Sequence, residues 1–186
     1  MARKIKKENG IKLIIGLGNP EKEYQNSFHN IGFLFLNYFT AEKSNFLKPK
    51  NKNFKYLKKN NLIFAWPLSF MNASGPVVLE MLKYFKLSPL EILIVHDDID
   101  IELGKYKLSF GRGDAGHYGI RSIINSLKTK NFWRLRLGIK ASKQKIKAGD
   151  LVLKKIPATT QKIFQKVFEE IKKSFPQILK RLQSNG

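Results

Sequence analysis

Apolar positions along the chain alternate between short unbroken runs and stretches with helical spacing. Three runs read as buried strands: Lys12 to Leu17, Leu62 to Trp66 and Glu91 to Val95. Ile31, Leu34, Phe35, Tyr38 and Phe39 recur at helical spacing, which predicts a helix over Asn30 to Glu42. A second helix is predicted from Gly75 to Phe85, with Ser74 as its N-cap and Pro76 in its first turn. Leu103 to Phe110 reads as a hairpin arm, Ile120 to Lys128 as a helix and Arg134 to Lys140 as a strand. From Thr160 a long amphipathic helix follows. Ile163, Val167, Ile171, Phe175 and Ile178 mark its buried face, and Pro176 is expected to kink or interrupt it. This alternation predicts an α/β fold with a mixed, mostly parallel twisted sheet flanked by helices. It is expected as a single domain over residues 11–186, after a basic flexible tail at 1–10.

The polar breaks are more informative than the runs. Three successive strands end in polar clusters: Gly18-Asn19-Pro20, Phe70-Met71-Asn72 and His96-Asp97-Asp98. If the strands are parallel, all three clusters lie along one edge of the sheet, where α/β proteins bind their ligands. The loop after the first strand ends at His29. Gly111 to Gly119 forms a glycine-rich loop, which lets backbone approach a ligand closely.

Charge narrows the partner. The 186 residues hold 35 Lys+Arg against 14 Asp+Glu, a net charge of +21. Such an excess points to a polyanion, although an overall lysine-rich composition accounts for part of it. No apolar run approaches the roughly 20 residues that span a bilayer, so no membrane partner is expected. The basic start lacks a signal peptide's apolar core. There is no Cys, which excludes disulfides, thiolate nucleophiles and Cys-ligated zinc and fits a cytoplasmic protein. Phe46 to Asn60 carries six lysines interleaved with Phe54, Tyr56 and Leu57. It reads either as a solvated hairpin arm or as a phosphate-contacting one. Lys140 to Ala148 is polar and basic and is expected to be a mobile loop.

Several chemistries fail on residue type. Gly16-x-Gly18-x-x-Glu21 lacks the third glycine of a dinucleotide fingerprint, and Glu21 would meet a pyrophosphate with the wrong charge. His96-Asp97-Asp98-x-Asp100 cannot converge on one metal from an extended chain, because neighbours point to opposite sides. No Gly-x-Ser-x-Gly elbow is present. What remains is a histidine with a carboxylate and amides. His29 can take a proton from water, and Asp97 can fix its tautomer. Asn19 and Asn72 each offer a donor and an acceptor to an amide backbone or an oxyanion. On residue types alone, a capping Asn and a satisfied surface His are the stronger alternative.

Gly16-Leu-Gly-Asn-Pro20, Tyr24 and His29-Asn30-x-Gly32 together resemble the bacterial peptidyl-tRNA hydrolase family. So do Phe70-Met-Asn-x-Ser-Gly75, His96-Asp-Asp-Ile-Asp100, Gly116-His117-x-Gly119 and Phe132-x-Arg-Leu-Arg-Leu-Gly-Ile139. The likeness runs in order from about residue 12 to 140 and weakly to the end. It implies a monomeric enzyme, without metal or cofactor, that hydrolyses the ester between peptide and tRNA. It further implies that His29 is the general base and Asp97 its supporting carboxylate. Asn19 then discriminates N-blocked from free aminoacyl-tRNA, and Tyr24, Phe70 and Asn72 bind the peptidyl-tRNA end. Arg134, Arg136 and the 140–147 loop become candidates for tRNA phosphates.

Three positions depart from the family pattern. Glu21 stands for Gly, Phe28 for Arg, and Tyr118 for a substrate-contacting Asn. Tyr118 keeps one hydroxyl but loses the amide's paired donor and acceptor, which costs about 1–3 kcal/mol if nothing replaces it. Tyr118 and the high charge also suit a second reading, a catalytically silent RNA-binding protein on the same fold. A pure binder, however, needs no base with an orienting carboxylate.

Overall fold

Buried side chains alternate along the central strands, and this alternation builds two apolar layers. In the computed structural model, which describes residues 10–40, 46–140 and 148–184, Leu13 and Ile15 of β1 (Leu13–Gly16) face one layer and Ile14 faces the other. Ile92 and Ile94 of β4 (Ile92–Glu102) share the first layer, and Leu93 and Val95 the second. This is the period of two that a strand imposes on a sheet covered on both faces.

Six strands form one mixed sheet in the order β2-β3-β1-β4-β6-β5. β1 is parallel to β3 (Leu62–Pro67) and β4, and β4 is parallel to β6 (Trp133–Lys140). The marginal strands β2 (Phe54–Lys59) and β5 (Tyr106–Phe110) run antiparallel to their neighbours. α1 (Ile31–Thr40) and α5 (Ala158–Ser184) cover one face; α2 (Ser74–Phe85) and α3 (Tyr118–Leu127) cover the other. A short α4 (Ala148–Val152) precedes α5. No helix among the described residues is long and apolar enough to cross a membrane.

The chain goes from β1 to β3 on one side, then crosses back past β1 to β4 on the other. The β1–β4 crevice is therefore the topological switch point, where open α/β sheets bind ligands. Backbone packing there is tight. A Cβ on Gly32, at the start of α1, would collide with the Val95 carbonyl and the Leu17 amide. This close approach locks the start of α1 against both strands, three residues after His29.

The α/β architecture and the parallel alignment of the first, second and third predicted strands match the expectation. Several details differ. The third strand does not end at Val95; it continues through His96–Asp100 to Glu102, because β6 pairs alongside it up to Gly138 opposite Asp98 and, past an irregularity, again at Lys140 opposite Glu102. Ala73, not Ser74, is the N-cap of α2, and Ser74 Oγ instead donates back to the Met71 carbonyl at 2.8 Å. α5 runs unbroken through Pro176, an exposed residue, so its missing amide falls on the solvent side. Ile163 is exposed, and the buried stripe of α5 is carried by Phe164, Val167, Phe168, Ile171, Phe175 and Ile178. The expected tail over 1–9, the end of the first helix at Glu42 and the basic loop over 141–147 lie outside the described residues.

Candidate active site at the β1–β4 crevice

After β1 the chain enters a loop and reaches a 3-10 turn, Phe28–Asn30, that carries His29. Phe28 is buried and packs edge-on against Phe164 of α5, so the side chain that departs from the family pattern anchors this turn in the core. The turn is also zipped to the segment before α5: Phe28 N donates to the Lys154 carbonyl at 3.2 Å and Ile156 N to the Asn26 carbonyl at 2.7 Å. His29 is thereby held at the crevice with 7% of its surface exposed.

Asp97, on β4, is 2% exposed. Its Oδ1 lies 2.9 Å from His29 Nδ1 and 3.0 Å from His117 Nε2. His117 is the N-cap of α3, and its Nδ1 accepts from the Ile120 amide at 3.3 Å. That contact puts the proton of the neutral His117 ring on Nε2, facing Asp97. Asp97 likewise keeps the His29 proton on Nδ1 and leaves Nε2 as a bare lone pair. Burial works against the Asp97 charge, but His117 and His29 outweigh it and hold its carboxyl far below the usual carboxylate range.

His96 plays a different part. It is fully buried, and its Nδ1 donates to the Asp97 carbonyl at 2.6 Å. Burial, with His117 as the next cause, pushes its imidazole well below the ordinary value, so it stays neutral. Its ring lies edge-on to His117 with centroids 4.7 Å apart.

Asn19 is buried beside the crevice. Its Oδ1 accepts from the Met71 amide at 2.7 Å, while Asn30 bonds both of its backbone groups. Its Nδ2 makes no hydrogen bond among the described residues. Asn72 follows Met71 in the turn after β3, exposed and without a side-chain hydrogen bond among those residues. Asn19 therefore ties two of the three polar clusters together. Tyr24, half-buried, lies on the turn before His29, where its carbonyl accepts from Ser27.

A cavity of about 110 Å³ opens over the pair, lined by His29, Asp97, Asp98, Gly116, Tyr118 and Val152 among others. Asn19, Tyr24, Phe70 and Asn72 are not among its lining residues. Arg136 is also placed elsewhere. It lines an adjoining groove of about 650 Å³ with Lys107, Arg112 and Arg134, and its Nε donates to Asp98 Oδ2 at 2.6 Å. Arg134 is buried there with its Nη1 on the Gly113 carbonyl, while its Nε and Nη2 have no partner among the described residues. Such a groove suits an anionic backbone. Its Asp98–Arg136 ion pair joins the strand of Asp97 to the groove.

One ring nitrogen each of His29 and His117 and a carboxylate oxygen of Asp97 lie within 4.8 Å of one another, a set that can hold a metal ion. At these distances the Asp97 oxygen instead accepts a hydrogen bond from each ring, and the two nitrogens act as donors. His117 and Asn30 stand in the motifs Gly116-His117-x-Gly119 and His29-Asn30-x-Gly32, but their residue types alone give neither a role in the site. The signal for His117 was present: it is one of only three histidines and sits in the glycine-rich loop. Asn30 carried no signal of its own, because its partner is backbone.

A buried histidine–carboxylate pair at the switch point of an α/β sheet, beside a cationic groove, is an arrangement suited to proton-transfer chemistry on an anionic substrate. The sequence profile of the peptidyl-tRNA hydrolase family matches residues 13–185. The chain belongs to that family. It is 37% identical over 173 residues to the peptidyl-tRNA hydrolase of Sulfurihydrogenibium sp. (strain YO3AOP1), covering 91% of this chain and 92% of the relative. It is 36% identical over 160 residues to the enzyme of Mycoplasmopsis synoviae (strain 53), covering 86% and 85%. The crystal structure of peptidyl-tRNA hydrolase from Acinetobacter baumannii superposes with a TM-score of 0.79 at 31% identity, over 94% of this chain and 95% of that one.

Proposed function

We propose that this member of the family cleaves the ester between peptide and tRNA by water attack, with His29 as general base. The observation that carries the reading is the Asp97 Oδ1 contact to His29 Nδ1 at 2.9 Å, which frees Nε2 for the water. Nε2 takes a proton as the water oxygen bonds to the ester carbon and the carbonyl electrons move to oxygen. Collapse of that intermediate breaks the bond to the ribose oxygen, and the imidazolium returns its proton there. The products are a peptide with a free carboxylate and a tRNA with a free terminal hydroxyl. Asp97 stabilises the imidazolium without taking a proton. A positioned base of this kind contributes about 10²–10⁴-fold.

Asn19 is the third residue of the centre, with its unbonded Nδ2 as a donor toward the peptide backbone or the oxyanion. Asn72, Tyr24 and Phe70 contact the peptidyl-tRNA end, with Tyr118 at the cavity rim. Arg136 and the groove around it take tRNA phosphates. The reading treats residues 11–186 as one domain, acting as a monomer in the cytoplasm. It needs no metal.

Incubation with N-acetyl-aminoacyl-tRNA and measurement of ester release tests it. The expected result is turnover that collapses in H29A while tRNA binding persists. Release at the buffer rate with tight tRNA binding would instead indicate a silent RNA binder.

A further inference from the structure

Two large aromatic side chains stand exposed where α3 meets the turn after β3. Tyr118 is 61% exposed and Phe70 54%. Each immediately precedes one member of a close contact: a Cβ added to Gly119 would sit 2.5 Å from Met71 Sδ. Tyr118 also lines the cavity over His29 and Asp97. The amide expected at this position would act by hydrogen bonding, whereas the ring present offers a flat apolar face.

The local structure holds that ring in place. The Arg121 guanidinium, one turn on, lies over it with Cζ 5.6 Å from the centroid. Arg121 is in turn fixed by two bonds to Asp114, at 3.2 and 3.4 Å. Asp114 Oδ1 also accepts from the Gly116 amide at 2.8 Å, closing the turn through Ala115 and Gly116, both at positive φ. Asp114, Arg121 and Tyr118 thus form a braced stack with a cation on one side of the ring. Aromatic rings beside a cationic surface take nucleobases face-on whatever the base.

The geometry points to Tyr118 as a stacking platform for the 3′-terminal nucleobase of the tRNA substrate. The inference rests on the reading of His29 as the point of attack, because the nucleotide that carries the ester is then the one within reach of the cavity rim. In this chain a stacked base replaces the amide contact, so Tyr118 determines how the substrate end is held. Stacking one base on an aromatic ring is worth about five- to 150-fold in affinity.

Steady-state kinetics on two substrates test this: N-acetyl-aminoacyl-tRNA, and the same molecule with an abasic terminal nucleotide. With the intact base, Y118A is expected to raise KM about tenfold with kcat within about twofold of the parent, and Y118F to recover most of the loss. With the abasic terminus, parent and Y118A should share one KM. An unchanged KM in Y118A overturns the proposal. So does an equal rise on both substrates, which assigns the ring to the peptide. A loss in Y118F as deep as in Y118A assigns the contact to the hydroxyl and overturns it too. Calorimetric binding of the terminal trinucleotide, with and without its last base, reads the same contact without hydrolysis. Base-dependent binding lost in Y118A, in a protein that fails to turn over, would sink the catalytic reading and leave the platform standing.

Discussion

Asn30 grips Asn19 by both ends of its backbone: Oδ1 accepts from the Asn19 amide at 2.7 Å and Nδ2 donates to the Asn19 carbonyl at 2.9 Å. One carboxamide thus joins the histidine-bearing turn to the loop after β1. N30A removes both bonds from a buried place and should cost about 1–3 kcal/mol of stability. It should also lower kcat/KM at least tenfold, because Asn19 loses its registration with Met71. Urea unfolding and kinetics on one substrate check both; activity equal to the parent's would show that Asn19 is held without Asn30.

D97N separates charge from geometry. A single Asp97 oxygen meets both imidazoles, and an Asn oxygen can occupy that place without the negative charge. The fold should persist while kcat falls about a hundredfold or more, for want of the carboxylate that stabilises the imidazolium. Single-turnover rates with N-acetyl-aminoacyl-tRNA measure it.

Buried His96 makes stability depend on pH. Its folded value lies well below the ordinary 6.5, so below that pH the unfolded chain takes up a proton that the folded chain refuses. Stability from this residue is complete above 6.5 and is lost as pH falls beneath it, by up to about 1.4 kcal/mol per pH unit. The parent should therefore lose stability faster than H96N between pH 6.5 and 5 in denaturant titrations. Parallel curves for the two proteins would place the acid sensitivity elsewhere.

Pro176 sits in the interior of α5 but on its exposed side. P176A returns an amide donor to the helix and removes the ring, so it should raise stability by about 1–3 kcal/mol. A thermal melt decides, with an unchanged or lower midpoint against the prediction.

The centre of the sheet was legible because β1 and β3 are unbroken apolar runs closed by Gly16 and Pro67, and β4 opens with a third such run before His96. The convergence of His29 with Asp97 followed from the parallel pairing of β1 and β4. Other features depended on information that neighbouring residues do not carry. The continuation of β4 past Val95 depends on β6, which lies some forty residues on. Pro176 reads as a breaker until the face that lacks the bond is known to be wet. The grip of Asn30 and the double use of Asp97 by His29 and His117 are matters of approach between distant segments. Phe28 looked like a loss of charge near the site, yet its place against Phe164 makes it part of the core.

One margin of the sheet has a consequence for how copies of the chain meet. Among the described residues, Leu47 bridges β2 at a single position, Tyr56. The strand ends in Lys58 and Lys59, both exposed. A foreign strand that tried to extend the sheet there would have to strip water from those ammonium groups. The positive charge that suits a nucleic acid thus also guards against amyloid-like edge-to-edge growth.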